Sequence, residues 1–574
     1  MLHLSRVSID PNLPVASWCL PTNSVKEESP FMAQEGHLEK WGLALKRVLG
    51  LSIEHARAKA DVLRQETIAK IVAPVPDDQE TTRSSEMVAG VQVMLIGRKA
   101  TSSPRLDSRQ TSILWLVACV ALLMVALFKA TPFPTSDSAY FEYVGRQMLR
   151  GAHLYRDIWD NKLPSIYLTN ELWQKLMGEQ YRLHIAAEIA IQALGTVLFA
   201  LVLRNMNVRC WRLATFAFVA LYVMLPVSYN QTEQYALPLS LLALFFLQKE
   251  RPIACGIAVV AAASYWIPAV LMTVPVVTWW RGDRIALTRF FSAVCATAAL
   301  ATAAGVVLIG VGTLRALAQS WLLYVTEPDP AHNFGKLGAA KAISTNLRLG
   351  LYVSGIGVLL PLYAARVRAP QTREQRLTLW WSIAALAGAM TSGRFYSHYF
   401  FLAIPALIAA IAVFPPRPVR WLNAGAVALS AYFAVRSAQF MVHEARTNDL
   451  VYERIARATK AIDTVIGSGA VIQGDAEPGV LLAAHARTRT PYDLAANTNR
   501  RFVSLVTKGH SYPKADAWLL NSLDVVVPPK STDVCHGELG DWRLYVRKDL
   551  APRFTPDACS AGPDYKALSS AQSP

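Results

Sequence analysis

Between two long apolar runs, residues 137 to 167 (DSAYFEYVGRQMLRGAHLYRDIWDNKLPSIY) set Asp137, Asp157 and Asp160 in one segment with Lys162. A carboxylate can accept a proton from a hydroxyl, and an ammonium can hold an anionic group. Placed where a membrane protein meets the water outside, this combination suits an enzyme that works at a bilayer surface on a lipid-borne substrate. Simpler readings compete with it. Asp137 also reads as a helix N-cap, worth about 1 kcal/mol, and Lys162 and Arg156 as side chains that snorkel to lipid headgroups. The combination favours chemistry: an isolated carboxylate, a lysine in the same loop, and the aromatics Tyr140, Tyr143, Tyr155, Trp159 and Tyr167 at one face.

The elements that must position these groups can be read from spacing. Thr135, Ser136 and Asp137 offer side-chain oxygens ahead of a pattern in which Tyr140, Val144 and Met148 recur every four residues, joined by Phe141. This predicts a helix lying flat on the membrane surface. Gly151 is a plausible stop, and Pro164 can open a second helix running to about Gly178. The polar residues then gather at two turns, Asp137 at one and Asp157, Asp160, Asn161 and Lys162 at the other.

The whole chain is of the membrane class. Of its 574 residues 53% are hydrophobic and only 17% charged, a composition that cannot supply a solvated surface. Apolar runs fall at roughly 112–130, 183–203, 213–229, 235–247, 252–268, 269–280, 288–311, 349–365, 377–392, 399–414 and 421–440, giving about eleven transmembrane helices. Some are short, so those helices must tilt, extend into polar flanks or stop partway. Basic residues in alternate loops set the orientation: Arg98, Lys99, Arg105 and Arg109, then Arg204, Arg209 and Arg212, Lys249 and Arg251, Arg281 and Arg284, the 366–376 arginines, and Arg417 with Arg420. Segment 131–182, with six basic and six acidic residues, lies on the opposite side. The net charge of +16 is thus a topology signal and does not call for nucleic acid.

Residues 1–110 read as a cytoplasmic extension of low order with one helix-like stretch, about 38–72, and Met87 or Met94 as a possible alternative start. Residues 111–440 form the transmembrane domain. Residues 441–574 mix a helical pattern (about 444–466) with β-rich runs such as AVIQG and LDVVVPP, so a small extracytoplasmic α/β domain is expected. Its cysteines, Cys535 and Cys559, face an oxidising compartment and could pair. The other five, Cys19, Cys119, Cys210, Cys255 and Cys295, show no metal spacing and read as small core residues.

The order Asp137, a surface helix ending in Leu-x-Gly, Tyr-x-Asp, then Asp-Asn-Lys-x-Pro resembles the first periplasmic loop of the GT-C glycosyltransferases, in particular bacterial members of the protein O-mannosyltransferase and lipid A aminoarabinose transferase type. YNQTEQYALP at 229–238 and GRFYSHYFFLAIPAL at 393–407 are similar to later segments of that group. The resemblance spans about 130–440. It implies a sugar donor linked to a polyprenyl phosphate, transferred with inversion to an acceptor hydroxyl at the outer face of the plasma (inner) membrane. Carried over by position, Asp137 is the general base or acceptor-orienting carboxylate, Lys162 and Arg394 hold the donor phosphate, and Asp157, Asp160, Glu233, Tyr396 and His398 contact substrate. One departure stands out: aminoarabinose transferases carry a glutamate directly before this lysine, where this chain has Asn161. That leaves the acceptor, a glycan, lipid or protein, open.

The chemistry asks for no cofactor. The leaving phosphate already carries its charge, so a metal is not obligatory, although His398 with Asp137 and Glu233 could make a site. Glu188, one turn inside the second run, should face the protein interior or be protonated. Three other readings remain as alternatives, of which a non-catalytic membrane scaffold whose outer domain binds a partner would leave the loop carboxylates and lysine unexplained. A secondary transporter would suit the span count and the two short segments at 252–280, but it would place ionisable groups at the bilayer midplane, whereas here they gather at the outer face. A lipid-linked glycan polymerase or ligase shares the chemistry and differs in its acceptor. The fold expected is an all-α polytopic membrane domain with a small C-terminal α/β domain.

Overall fold

The computed structural model describes residues 108–130, 133–134, 136–158, 160, 162–223, 230–315, 317–318, 344, 347, 350–351, 355–391, 397–416, 418–465, 467, 469–473, 478–488, 516–521, 534–539 and 542–547. The N-terminal extension and the LDVVVPP run fall outside these, as does any pairing of Cys535 with Cys559. The described chain is mostly helical. In order come α1 (Ser108–Ala130), α2 (Ser136–Leu149), α3 (Pro164–Met177), α4 (Tyr181–Asn205), α5 (Trp211–Val223), α6 (Thr232–Gln248), α7 (Pro252–Tyr265), α8 (Thr273–Trp279), α9 (Arg284–Ile309), α10 (Ile356–Arg366), α11 (Arg373–Met390), α12 (Ala403–Val413) and α13 (Arg420–Val465). Short strands follow, with a one-turn helix, α14 (Pro478–Ala483), among them.

Each of the eleven apolar runs falls on helix among the described residues. Among the described residues, only α4 and α9 are each long and apolar enough to cross a bilayer. The two runs at 252–280 form a hairpin: Trp266 is extended (φ −139°, ψ 103°) and breaks the helix, and Pro268 sits in the first turn of the segment that follows. A 3₁₀ turn, Ile267–Met272, then leads into α8. At 14 residues α7 is about 21 Å long. The far ends of the hairpin meet: the Trp279 and Trp280 indoles both donate to the Glu250 carboxylate, which Arg373 also reaches at 3.0 Å. Lys249 donates to Asn205, and Arg212 to Ser112. The loops so joined are those that the charge pattern assigns to a single side.

At the other end of the bundle a second core is built from α2, α3, Tyr235, the end of α13 and α14, with β1 (Val471–Gln473). The helix expected at 444–466 is the continuation of the 421–440 run in one 46-residue helix, α13. Beyond it lies a five-stranded sheet of β1, β2 (Arg487–Thr488), β3 (Ala517–Asn521), β4 (Val534–Leu539) and β5 (Trp542–Arg547), ordered β2-β1-β3-β5-β4. The β1 strand lies in the AVIQG run and pairs in parallel with β2 and β3, whereas β5 is antiparallel to β3 and β4.

The surface helix is where structure and expectation part. Helix α2 forms with the expected apolar face, but Ser138 through Arg146 are all buried, so it is enclosed by protein and does not lie on lipid. Periodicity shows that one face wants covering; it does not show by what. Two features close the cover. At Gly145 an added Cβ would come within 2.7 Å of the Asn170 carbonyl carbon and the Glu171 nitrogen, so only glycine lets α3 approach this closely. On the opposite side Arg146 donates to the Leu481 and Leu482 carbonyls at 2.8 and 2.6 Å, capping the C-terminal end of α14. The Tyr143 hydroxyl accepts from the Thr488 amide at 3.0 Å. Gly145→Ala is expected to force α2 and α3 apart and cost about 1–3 kcal/mol. The midpoint of thermal unfolding in detergent reads this directly, and an unchanged midpoint would show that the contact is not tight.

Candidate active site

The turn 152–163 is held from within. Tyr155 adopts φ +64°, a conformation rare outside glycine, and its hydroxyl donates to the Lys162 carbonyl at 2.6 Å. The Tyr167 hydroxyl donates to the Asp160 carboxylate. The rings of Tyr155 and Tyr167 meet edge to face at 6.3 Å, and Phe141 packs on Tyr167 at 5.7 Å. Tyr143, Tyr155 and Tyr167 are fully buried. The expected aromatic ring at the membrane face is therefore, in these members, an internal brace that fixes Asp160 and the backbone of Lys162. Burial first, then the Asp160 charge, raises the Tyr167 phenol well above its ordinary range, so it remains a hydrogen-bond donor. Pro164 at the first position of α3 ends the turn, as expected.

Asp137 sits inside the first turn of α2, one residue beyond Ser136 at φ +50°. Glu233 occupies the first turn of α6, after Asn230 at φ +66°. The Gln234 side chain accepts from the Gln231 backbone amide at 2.9 Å, so the helix start is capped by Gln231 and Gln234 and not by Glu233. Glu233 is only 1% exposed, and among the described residues neither of its buried carboxylate oxygens has a hydrogen-bond partner. That arrangement costs roughly 1–3 kcal/mol or more for a charged group, and the N-terminal helix dipole offsets only part of it.

These elements converge on Lys162, which is half-buried. Burial works to lower the pKa of its ammonium, but Tyr399, Asp160, Asp137 and Glu233 outweigh it and carry the group above its ordinary value. Among the described residues neither the Lys162 ammonium nor the Asp137 carboxylate has a hydrogen-bond partner. The structure thus brings together Asp137, Asp160, Lys162 and Glu233 from three separate segments. Chemically, the cluster offers a cation whose charged form is favoured and, in Asp137, a carboxylate that can accept a proton from a hydroxyl.

Two other expected site residues, Asp157 and His398, have different immediate partners. Asp157 is bound into its own turn, accepting from Arg156 at 2.9 Å and from the His153 amide at 2.8 Å. Its hydrogen bond to Arg156 leads the effects that lower its pKa. His398 packs edge-on against Tyr399 at 4.6 Å, and Tyr399 reaches the hairpin at Trp266. Arg394 and Tyr396 lie outside the described residues, as do Trp159 and Asn161. Glu188 faces the protein interior, as expected, accepting from the Trp173 indole at 2.6 Å. Among the described residues no group of three or more histidine, cysteine or carboxylate side chains could hold a metal ion.

Sequence reasoning missed Asn170 and Asn230. A single buried amide, on a helix as at Asn170 or in the turn before one as at Asn230, leaves no periodic signature. The one available hint was the asparagine in the YNQTEQY segment.

No family model and no curated protein matches the chain. Among solved structures it is similar to ArnT from Cupriavidus metallidurans bound to undecaprenyl phosphate, at a TM-score of 0.44 and 13% identity over 79% of this chain and 100% of that one. The apo state of ArnT gives a TM-score of 0.44 and 14% identity over 77% and 99%.

Proposed function

We propose that the chain is an integral-membrane glycosyltransferase that moves a sugar from a polyprenyl-phosphate donor to an acceptor hydroxyl at the outer face, with inversion. The observation that carries this reading is the convergence of Asp137, Asp160 and Glu233 on the Lys162 ammonium. The GT-C-like order of motifs in the sequence supplies the reaction class. Membrane insertion is supported by α9, where Leu300, Val307 and Leu308 are 70%, 83% and 66% exposed along an apolar helix of 26 residues. About eleven spans, with the C-terminal sheet outside, follow from the charge parity.

In this reading Asp137 accepts the proton of the acceptor hydroxyl as its oxygen bonds to the anomeric carbon. The bond from that carbon to the phosphate oxygen breaks on the opposite face, and its electron pair leaves with the polyprenyl phosphate. Lys162 stabilises the departing anion. Among the described residues three carboxyl groups surround one ammonium, so an anionic phosphate there calls for a second cation, and Arg394 is the residue proposed to supply it. Asp160, Glu233, Tyr396 and His398 are proposed to contact substrate, while Asp157 stays engaged within its own turn.

The test uses the full chain in lipid vesicles, radiolabelled sugars on a polyprenyl phosphate, and envelope extract as the acceptor source. Label is expected to leave the lipid for an acceptor. Label that stays on the lipid with every donor tried would overturn the proposal.

A further inference from the structure

Asp137, Lys162 and Glu233 stand on separate segments, and one side-chain pair ties all three segments together. Asn170, on α3 two turns after the Lys162 turn, donates to the Asn230 Oδ1 at 3.2 Å, and Asn230 donates back to the Asn170 Oδ1 at 2.8 Å. Both residues are fully buried. The same Asn230 amide reaches the Ser138 carbonyl at 3.5 Å, next to Asp137, and its Oδ1 accepts from the Tyr235 hydroxyl at 3.3 Å. Asn170 also donates to the Ile166 carbonyl at 2.8 Å. Asn230 holds φ +66° three residues before Glu233, so its backbone as well as its amide sets where that carboxylate starts. Tyr235 in turn stacks on Tyr265 at 4.7 Å and 7°, which ties the pair to the tip of the α7–α8 hairpin.

We infer that Asn170 and Asn230 form a clasp that fixes the spacing of Asp137, Lys162 and Glu233, and that they act as positioning residues for the transfer, an inference that rests on the function proposed above. Neither amide is assigned contact with substrate. A buried reciprocal amide pair is directional and has few alternative geometries. Reacting groups lose rate steeply when they are displaced by about an ångström, so a clasp of this kind acts on turnover more than on donor binding.

The test compares Asn230→Gly, which removes the amide yet tolerates the positive φ, with Asn170→Ala and the double variant. Its first readout needs no turnover: the rate at which an amine-acylating reagent labels Lys162, followed by mass spectrometry across pH, with the exposed Lys175 as internal reference. Lys162 is faced by Tyr399, Asp160, Asp137 and Glu233, which together hold it protonated and slow to react. Loosening the clasp should raise its labelling at pH 8 at least about threefold relative to Lys175. The double variant should go no further than either single, because both singles break one unit. The second readout is transfer, where kcat should fall at least about tenfold with the donor KM nearly unchanged.

Unchanged Lys162 labelling in both single variants would overturn the clasp. So would a rise shared equally with Lys175, which reports general unfolding, or a transfer loss carried wholly by KM. Failure of the function reading looks different: wild-type Lys162 would then gain no protection from undecaprenyl phosphate, whatever the variants do.

Discussion

Asp137→Asn is expected to lower transfer by about 10²–10⁴-fold while leaving the protein folded and inserted. The amide fills the same volume, so helix α2 and its burial beneath α3 and α14 should persist. What is lost is the capacity to accept a proton. Asp137 lies in the first turn of α2, where an acidic side chain also interacts favourably with the helix dipole, and removing that charge costs only about 0.3–1 kcal/mol. A structural role would therefore appear as a small shift in thermal midpoint and a small loss of activity. The two accounts separate cleanly in a vesicle assay of purified protein, and turnover retained within a fewfold of wild type would remove Asp137 from the chemistry.

Lys162→Ala is expected to act on the donor. A charge-assisted contact to phosphate is worth roughly 1.5–3 kcal/mol, so affinity for undecaprenyl phosphate should fall about 10–100-fold. Lys162→Arg should recover part of it, because the charge returns in a different geometry. The pH dependence has a defined sign. The folded-state pKa of Lys162 lies above its ordinary value, so its contribution to stability is fully present below about pH 10.4, the unfolded value, and is lost as pH rises through the folded one. Donor binding should accordingly show no lysine titration through pH 9. An alkaline loss of binding near neutral pH, or an unchanged affinity in the alanine variant, would break the assignment of Lys162 to the phosphate.

Much of the positioning was legible because it depends on local rules. Pro164 opens α3, Gly151 follows α2 at φ +91°, and α2 itself begins at Ser136, one residue before the carboxylate it presents. The loops rich in arginine were assignable to one side because charge retention is read residue by residue. The contacts of Glu250, Arg373, Lys249 and Arg212 join loops of that one set. The fate of the aromatics was not legible. Tyr143, Tyr155 and Tyr167 have the composition of an interfacial belt and the burial of a core, since a tyrosine serves equally well in both places.

The sequence alone determined the membrane class, the run of helices, the two polar turns and the residue types that could do chemistry, because hydrophobic length, proline, glycine and charge act over a few neighbouring residues. Only the tertiary structure decided that α2 is roofed by the C-terminal segment and not laid on lipid. Only the tertiary structure showed that Glu233 is buried without a hydrogen-bond partner among the described residues while Gln231 and Gln234 do the capping, that Asp157 is spent within its own turn, and that Asn170 and Asn230 join segments 60 residues apart. Each of these depends on what fills the space opposite a side chain, and that partner comes from a distant part of the chain whose approach no local spacing encodes.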